Sequence, residues 1–192
     1  MKVLLLNGSR RDAGCTHTGL NLISEELIKE GIEVQEFSIG SRVLKGEIHQ
    51  VVEEVVEAAK SADGFVFGTP VYYASPSGEM MFFLDHLFDK GAKEFMGKPG
   101  AAIASARRCG NSASLDVLNK YFLFNQMPLI ASEYWNGIHG NSPEEVLLDE
   151  EGVVVMKTLG QNMAWILKSI EAGKAIGLKQ PEPSKRPRTN FI

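Results

Sequence analysis

Short runs of uninterrupted apolar residues alternate along this chain with longer stretches in which apolar residues return every three or four positions. Val3-Leu4-Leu5-Leu6, closed by Asn7-Gly8, shows no polar alternation, the pattern of a parallel strand buried on both faces. From Thr18 to Glu30 the apolar positions Leu20, Ile23, Leu27 and Ile28 have helical spacing, and Gly31 stands at the C-terminal cap. A short strand over 32–37 and a helix over 51–62 are predicted next. Gly64 to Thr69 reads as a third buried strand, stopped by Pro70, which cannot continue a central ladder. Residues 77–88 are helical by spacing, with Met80, Met81, Leu84, Leu87 and Phe88 on or beside one face. Pro99 to Ala104 is a fourth strand, 112–124 a helix and Leu129 to Tyr134 a fifth strand. A long helix from about Asp149 to Ala175 closes the series, its apolar stripe formed by Met156, Leu159, Met163, Ile166, Leu167 and Ile170.

Strand and helix alternate five times without internal repeats, which implies right-handed crossovers and a parallel sheet covered on both faces. The predicted class is α/β, a flavodoxin-like three-layer sandwich around a five-stranded parallel sheet of order 2-1-3-4-5. Ligands in such sheets sit outside the carboxyl ends of the strands, at the switch point between strands 1 and 3. The loops after Leu6, Thr69 and Ser105 are therefore the ones to read for chemistry. With 192 residues and 44% hydrophobic content, one domain over 1–176 is expected. The tail from Gly177, with Pro181, Pro183 and Pro187, is not helical and is either disordered or an arm across a partner.

A net charge of -4 argues against a nucleic-acid partner, which needs a dense cationic face; the one basic cluster, Lys185, Arg186 and Arg188, is in the tail. Cys15 and Cys109 are too few and too far apart for a zinc or iron–sulfur ligand set, and a secreted disulfide scaffold would carry more. Reduced thiols in the cytoplasm fit best. Val3–Leu6 is too short for a signal sequence or a membrane span.

The first loop carries Gly8 and Gly14, hydroxyls at Ser9, Thr16 and Thr18, and guanidinium groups at Arg10 and Arg11. At a helix N-terminus such a set binds a phosphate through unpaired N–H groups, the positive dipole end and an arginine fork. A P-loop would need Gly-Lys-Ser/Thr, and the dinucleotide pattern Gly-x-Gly-x-x-Gly is missing, so a terminal monophosphate such as that of FMN suits the loop. The alternative is that Ser9 and Thr16 merely cap a helix and the arginines are solvated. The second loop, Pro70-Val71-Tyr72-Tyr73, offers a rigid turn and two aromatics for a flat ring, or simply covers the sheet edge. The third, Ser105-Ala106-Arg107-Arg108-Cys109-Gly110-Asn111, brings two cations to a third strand end, where they could tune a flavin or hold the 2′-phosphate of NADPH.

Together these residues resemble the NADPH-dependent FMN reductase and iron–sulfur-flavoprotein group of the flavodoxin superfamily. Its phosphate loop, roughly Gly-Ser-x-Arg-x-x-Gly/Ser-x-Thr, is matched by Gly8-Ser9-Arg10-Arg11-Asp12-Ala13-Gly14-Cys15-Thr16. Its Thr/Ser-Pro-Val/Ile-Tyr loop is matched by Thr69-Pro70-Val71-Tyr72, followed by Phe83-Leu84-Asp85-His86. The resemblance implies that Ser9, Arg11, Cys15, Thr16 and Thr18 surround the FMN phosphate, and that Pro70, Val71, Tyr72, Tyr73, Ala106, Arg107, Arg108 and Gly110 border the ring. The cysteine cluster of the iron–sulfur members has no counterpart in Ile39 to Gly46, and His86 replaces the usual arginine. The expected activity is that of an FMN-dependent NAD(P)H oxidoreductase serving a small acceptor: a quinone, a nitroaromatic, a flavin or a metal ion. No catalytic side chain is required, since the flavin carries the chemistry. A non-enzymatic flavodoxin-type electron carrier is the rival reading, weakened by Arg107 and Arg108 and by the mild acidity. A homodimer or homotetramer is implied, and Trp135, Asn136, Gly137 and His139 are candidates for a cover over the flavin or over the sheet end.

Overall fold

A computed structural model describes residues 1–182, 187, 189 and 190. β1 (Lys2–Asn7) leads through a loop into α1 (Cys15–Lys29), then β2 (Glu33–Ser38), α2 (Ile39–Leu44) and α3 (Ile48–Ala59). β3 (Gly64–Tyr72) turns back on the short β4 (Ser75–Pro76) before α4 (Gly78–Gly91) and β5 (Gly100–Ala106). α5 (Asn111–Phe124), β6 (Gly137–His139), α6 (Pro143–Val146) and α7 (Glu150–Ala175) complete the order. The sheet runs β2-β1-β3-β5-β6 with every neighbour parallel, and β4 pairs antiparallel with β3 beside this path. The expected 2-1-3-4-5 order is thus present, with a hairpin strand added.

The apolar runs have a direct physical cause. Successive side chains of a strand point to opposite faces, and here both faces are covered. Leu4, Leu6, Phe65, Phe67, Ala102 and Ala104 pack with α3, α4 and α5, whereas Val3, Leu5, Val66, Ala101 and Ile103 pack with α1 and α7. Past Lys2 at the entry of β1, strands with no solvated side carry no polar residue until they emerge at Asn7, Thr69 and Ser105, which remain buried at the carboxyl edge.

Three expectations need correction. Pro70 does not stop β3: the strand continues through it to Tyr72. β1 has already ended opposite Gly68, so the missing proline N–H costs no ladder bond there, and Pro70 pairs with Ser105 only on the other side. The strand expected over Leu129–Tyr134 is displaced to Gly137–His139. Leu129 makes one bridge to Gly100 and Ile130 N–H donates to Gly100 O at 2.9 Å, after which the chain leaves the sheet. Ser132 Oγ donates to Asn136 Oδ1 at 2.8 Å and accepts from Tyr134 N–H at 3.3 Å, closing a turn that competes with the ladder. The strand resumes once Asn136 O accepts from Ala104 N–H at 3.0 Å. Finally, α2 fills a stretch for which no element was expected.

α7 stops at Ala175, and Leu178 N–H folds back to Gly173 O at 2.9 Å. The described residues beyond it are not helical; Pro183, Lys185, Arg186 and Arg188 lie outside the described residues. Among the described residues no helix is long and apolar enough to cross a membrane.

Candidate functional site

The carboxyl edge of the sheet is organised by Asn7, a fully buried side chain at the end of β1. Its Oδ1 accepts from Ser9 N–H at 3.0 Å, while Nδ2 donates to Asp12 O at 3.1 Å and to Glu36 Oε1 at 3.0 Å. One amide therefore fixes both sides of the loop over 8–14. Gly8 N–H donates to Gly68 O at 2.7 Å, Ser77 Oγ–H to Gly8 O at 2.8 Å, and Ser41 Oγ–H to Asp12 Oδ1 at 2.5 Å. Gly40 in α2 makes a close backbone approach to this loop. A Cβ there would lie 2.4 Å from Ser9 C and O.

α1 starts from Gly14, and no side chain caps it. α4 and α7, by contrast, are capped by Ser77 and Asp149, whose oxygens accept from Met80 N–H and Gly152 N–H. The uncapped first turn of α1 opens toward Ser9 and Arg11, with unpaired donors and the positive end of the helix dipole. Thr16 and Ser105 share a hydroxyl hydrogen bond of 2.8 Å, which ties this turn to the end of β5.

The second loop is a hairpin. Tyr73 and Ala74 at its tip both have left-handed backbone, with φ of 50° and 56°, a geometry favoured for glycine and asparagine. The third loop turns at Gly110, also left-handed with φ of 101°, where a Cβ would lie 2.7 Å from Val71 Cγ1 and 2.9 Å from Ala74 Cα. Asn111 Nδ2 then donates to Ala104 O at 2.8 Å and anchors the start of α5.

These three loops enclose a cleft of about 220 Å³, whose walls include Ser9, Arg11, Cys15, Thr16, Pro70, Val71, Tyr72, Ala106 and Arg107. Four other sequence candidates lie outside it. Thr18 Oγ1–H bonds back to Gly14 O within α1, and Tyr73 projects fully into solvent. Arg108 is exposed, and Gly110 faces a neighbouring hollow shared with Trp135, Gly137 and His139. In that hollow His139 Nδ1 contacts Asp149 Oδ2 at 3.2 Å. His86 is remote, bonded through Nδ1 to Phe82 O. The cleft walls also contain Ser105, which sequence reasoning placed at the head of the third loop without a role, and Gly140 and Asn141, which it missed. Gly140 and Asn141 follow β6, so misplacing that strand concealed them.

Among the described residues neither Arg11 nor Arg107 pairs with a carboxylate, so both guanidinium groups are available to an anion, while Glu144 and Glu145 act on Cys15 from the side of α6. Burial pushes the Cys15 thiol up from its ordinary value, against the opposing pull of its own backbone N–H and of Arg11. It is therefore a neutral thiol, within 3.6 Å of Gly140 O, and not an activated nucleophile. The arrangement suits a ligand with an anionic end at α1 and a flat body along Pro70–Tyr72.

Known proteins share this fold and part of this sequence. The chain is 30% identical over 190 residues to an iron–sulfur flavoprotein of Methanocaldococcus jannaschii, covering 84% of this chain and 94% of the relative. It is 24% identical over 192 residues to a second iron–sulfur flavoprotein of that organism, covering 89% and 100%. Among solved structures, RosB with bound 8-demethyl-8-formylriboflavin-5′-phosphate superposes with a TM-score of 0.70 at 14% identity, covering 100% of this chain and 92% of that one. A flavodoxin from the domain Archaea gives 0.65 at 18% identity, covering 88% and 99%. The model of the NADPH-dependent FMN reductase family matches residues 1–141, and the chain belongs to that family.

Proposed function

We propose that the cleft holds FMN and that the protein is an NAD(P)H-dependent oxidoreductase serving a small electron acceptor. The observation that carries this reading is the uncapped N-terminus of α1 beneath Arg11, enclosed by the two other loops. The residues fit the cofactor. A phosphate at the first turn of α1 would meet backbone donors, the Ser9 and Thr16 hydroxyls and one guanidinium. The Thr16–Ser105 pair contains two hydroxyl protons and uses only one internally, which leaves the other to donate. Pro70, Val71 and Tyr72 would border the ring, and Arg107 would lend positive charge at its polar edge. Thr18, Tyr73, Arg108 and Gly110 would act less directly, Gly110 through the hairpin it touches.

When bound, FMN would take two electrons from the nicotinamide and release them to the acceptor, a quinone, nitroaromatic, flavin or metal ion. The protein's own task is then to bind and orient, and no side chain in the cleft is needed as acid or base. The iron–sulfur centre named for the relatives has no ligand set here: the chain has two cysteines, and among the described residues no group of three metal-ligating side chains occurs. We read the protein as a homodimer or homotetramer, a reading supported by the exposed Phe82, Leu123 and Phe124 on α4 and α5; light scattering tests it. Steady-state assays of FMN-loaded protein with NADPH and NADH across the four acceptor classes test the activity. Turnover with at least one pair is expected, and none with any pair refutes the enzyme reading.

A further inference from the structure

Arg10 and Arg11 are neighbours in the anion-binding loop and look like twin phosphate ligands. We infer that they have different tasks: Arg10 is a positioning residue that holds Tyr72 against the cleft, and Glu79 keeps it there. The inference rests on the FMN reading of the cleft.

Arg11 lines the cleft and Arg10 does not. The Arg10 guanidinium lies over the Tyr72 ring, with Cζ 4.9 Å from the ring centroid. Its Nε donates to Glu79 Oε1 at 2.9 Å. Tyr72 belongs to two concavities, the cleft on one side and, on the other, an open hollow shared with Arg10, Val71, Tyr73, Pro76 and Gly78. The ring therefore separates the cleft from the cation.

Glu79 decides where Arg10 stays. Its side chain is 9% exposed, and its second oxygen, Oε2, is buried with no partner among the described residues. If Arg10 swung toward a phosphate, this carboxylate would have neither oxygen paired, an arrangement heavily disfavoured in a buried site. The pair is also electrically neutral, so it adds stacking without competing with Arg11 for an anion.

The hairpin needs such a clamp. Tyr73 and Ala74 hold left-handed backbone without being glycines, a conformation that persists only where the surroundings enforce it. On one side Gly110 packs against Val71 and Ala74. On the other, Arg10 reaches across from the first loop to Tyr72 by a ring contact. Removing it frees the aromatic wall of the cleft to move.

The test is titration of flavin-free protein with FMN and with riboflavin, which lacks the phosphate, followed by quenching of flavin fluorescence. R10M is expected to weaken both ligands equally, by about five-fold, the worth of one cation–π contact. In a Y72L background the same substitution is expected to change neither, because its target is gone. R11M is expected to weaken FMN and leave riboflavin unchanged. The double variant R10M/E79Q, which removes the unpaired buried charge, guards against misfolding and should repeat the R10M result. Loss of FMN affinity alone in R10M would make Arg10 a phosphate ligand and overturn the inference, as would no change with either flavin. Binding of neither flavin by the wild-type protein would instead bring down the FMN reading, and this inference with it.

Discussion

Replacing Gly40 with alanine isolates the contact between α2 and the loop over 8–14, where the proposed function seats the phosphate. Alanine is the better helix former, and propensity alone predicts a gain of about 1 kcal/mol. Sterics predict the opposite. The new methyl would sit 2.4 Å from Ser9 C and O and 2.5 Å from Gly8 O, and ordinary contact begins near 3.4 Å, so one side must retreat by the difference of 1.0 Å. Overpacking costs about 1–3 kcal/mol, and backbone neighbours, which cannot rotate away, place this case at the upper end. The net loss is then about 2 kcal/mol, or a fall of about 4–8 °C in Tm for a chain of this size. Under the FMN reading, a 1 Å displacement of Ser9 would also break at least one charge-assisted bond to phosphate, about 1.5–3 kcal/mol, so FMN should bind about 10- to 150-fold more weakly. Differential scanning fluorimetry and an FMN titration read both effects. Gly78→Ala is the control, because a Cβ there meets nothing within 4 Å. If Gly40→Ala melts at or above the wild-type temperature and binds FMN normally, the claim that α2 shapes this loop is wrong.

Other outcomes follow from the same geometry. Gly110→Ala is expected to lose about 2–4 kcal/mol, since left-handed backbone and contact with Ala74 Cα both oppose it; a wild-type urea midpoint would contradict this. Glu26 accepts from Gln161 Nε2 at 3.0 Å and Lys29 Nζ at 2.6 Å, which hold its carboxyl below the usual value of 4.5. A depressed carboxyl stabilises the folded state above its unfolded pKa and loses that contribution as pH falls through the folded one. The gap in urea midpoint between wild type and Glu26→Gln should therefore be open at neutral pH and close below pH 4.5; a constant gap would exclude the assignment. Because burial raises the Cys15 thiol above 9.0, iodoacetamide at neutral pH should label the exposed Cys109 first. Peptide mass spectrometry should also show FMN suppressing the Cys15 label, and equal labelling with and without FMN would place the cofactor elsewhere.

What the sequence disclosed and what it concealed divide along the range of the interactions involved. β1, β3 and β5 were legible because burial on both faces forces unbroken apolar runs, and the switch-point rule then assigns ligand binding to the loops after them. β6 was misplaced because Leu129, Ile130, Tyr134 and Trp135 mimic a strand, while the Ser132–Asn136 turn that removes them from the sheet depends on side-chain bonds that a hydrophobic pattern does not record. α2 spans six residues, too few for periodicity to declare itself. Its role at the site rests on Gly40 meeting Ser9, residues distant in the chain.

The two arginines show the same limit at the chemistry. Composition treats Arg10 and Arg11 as interchangeable cations, and motif matching favours Arg11 by position alone. What separates them physically is Glu79, on the first turn of α4, whose largely buried carboxylate pairs with the Arg10 guanidinium and not with Arg11. Of two adjacent guanidinium groups one lines the cleft and the other lies over Tyr72, and under the proposed FMN reading binding of the phosphate and of the ring would be separable properties of adjacent residues. Titration of R10M and R11M with riboflavin and FMN measures that separation directly.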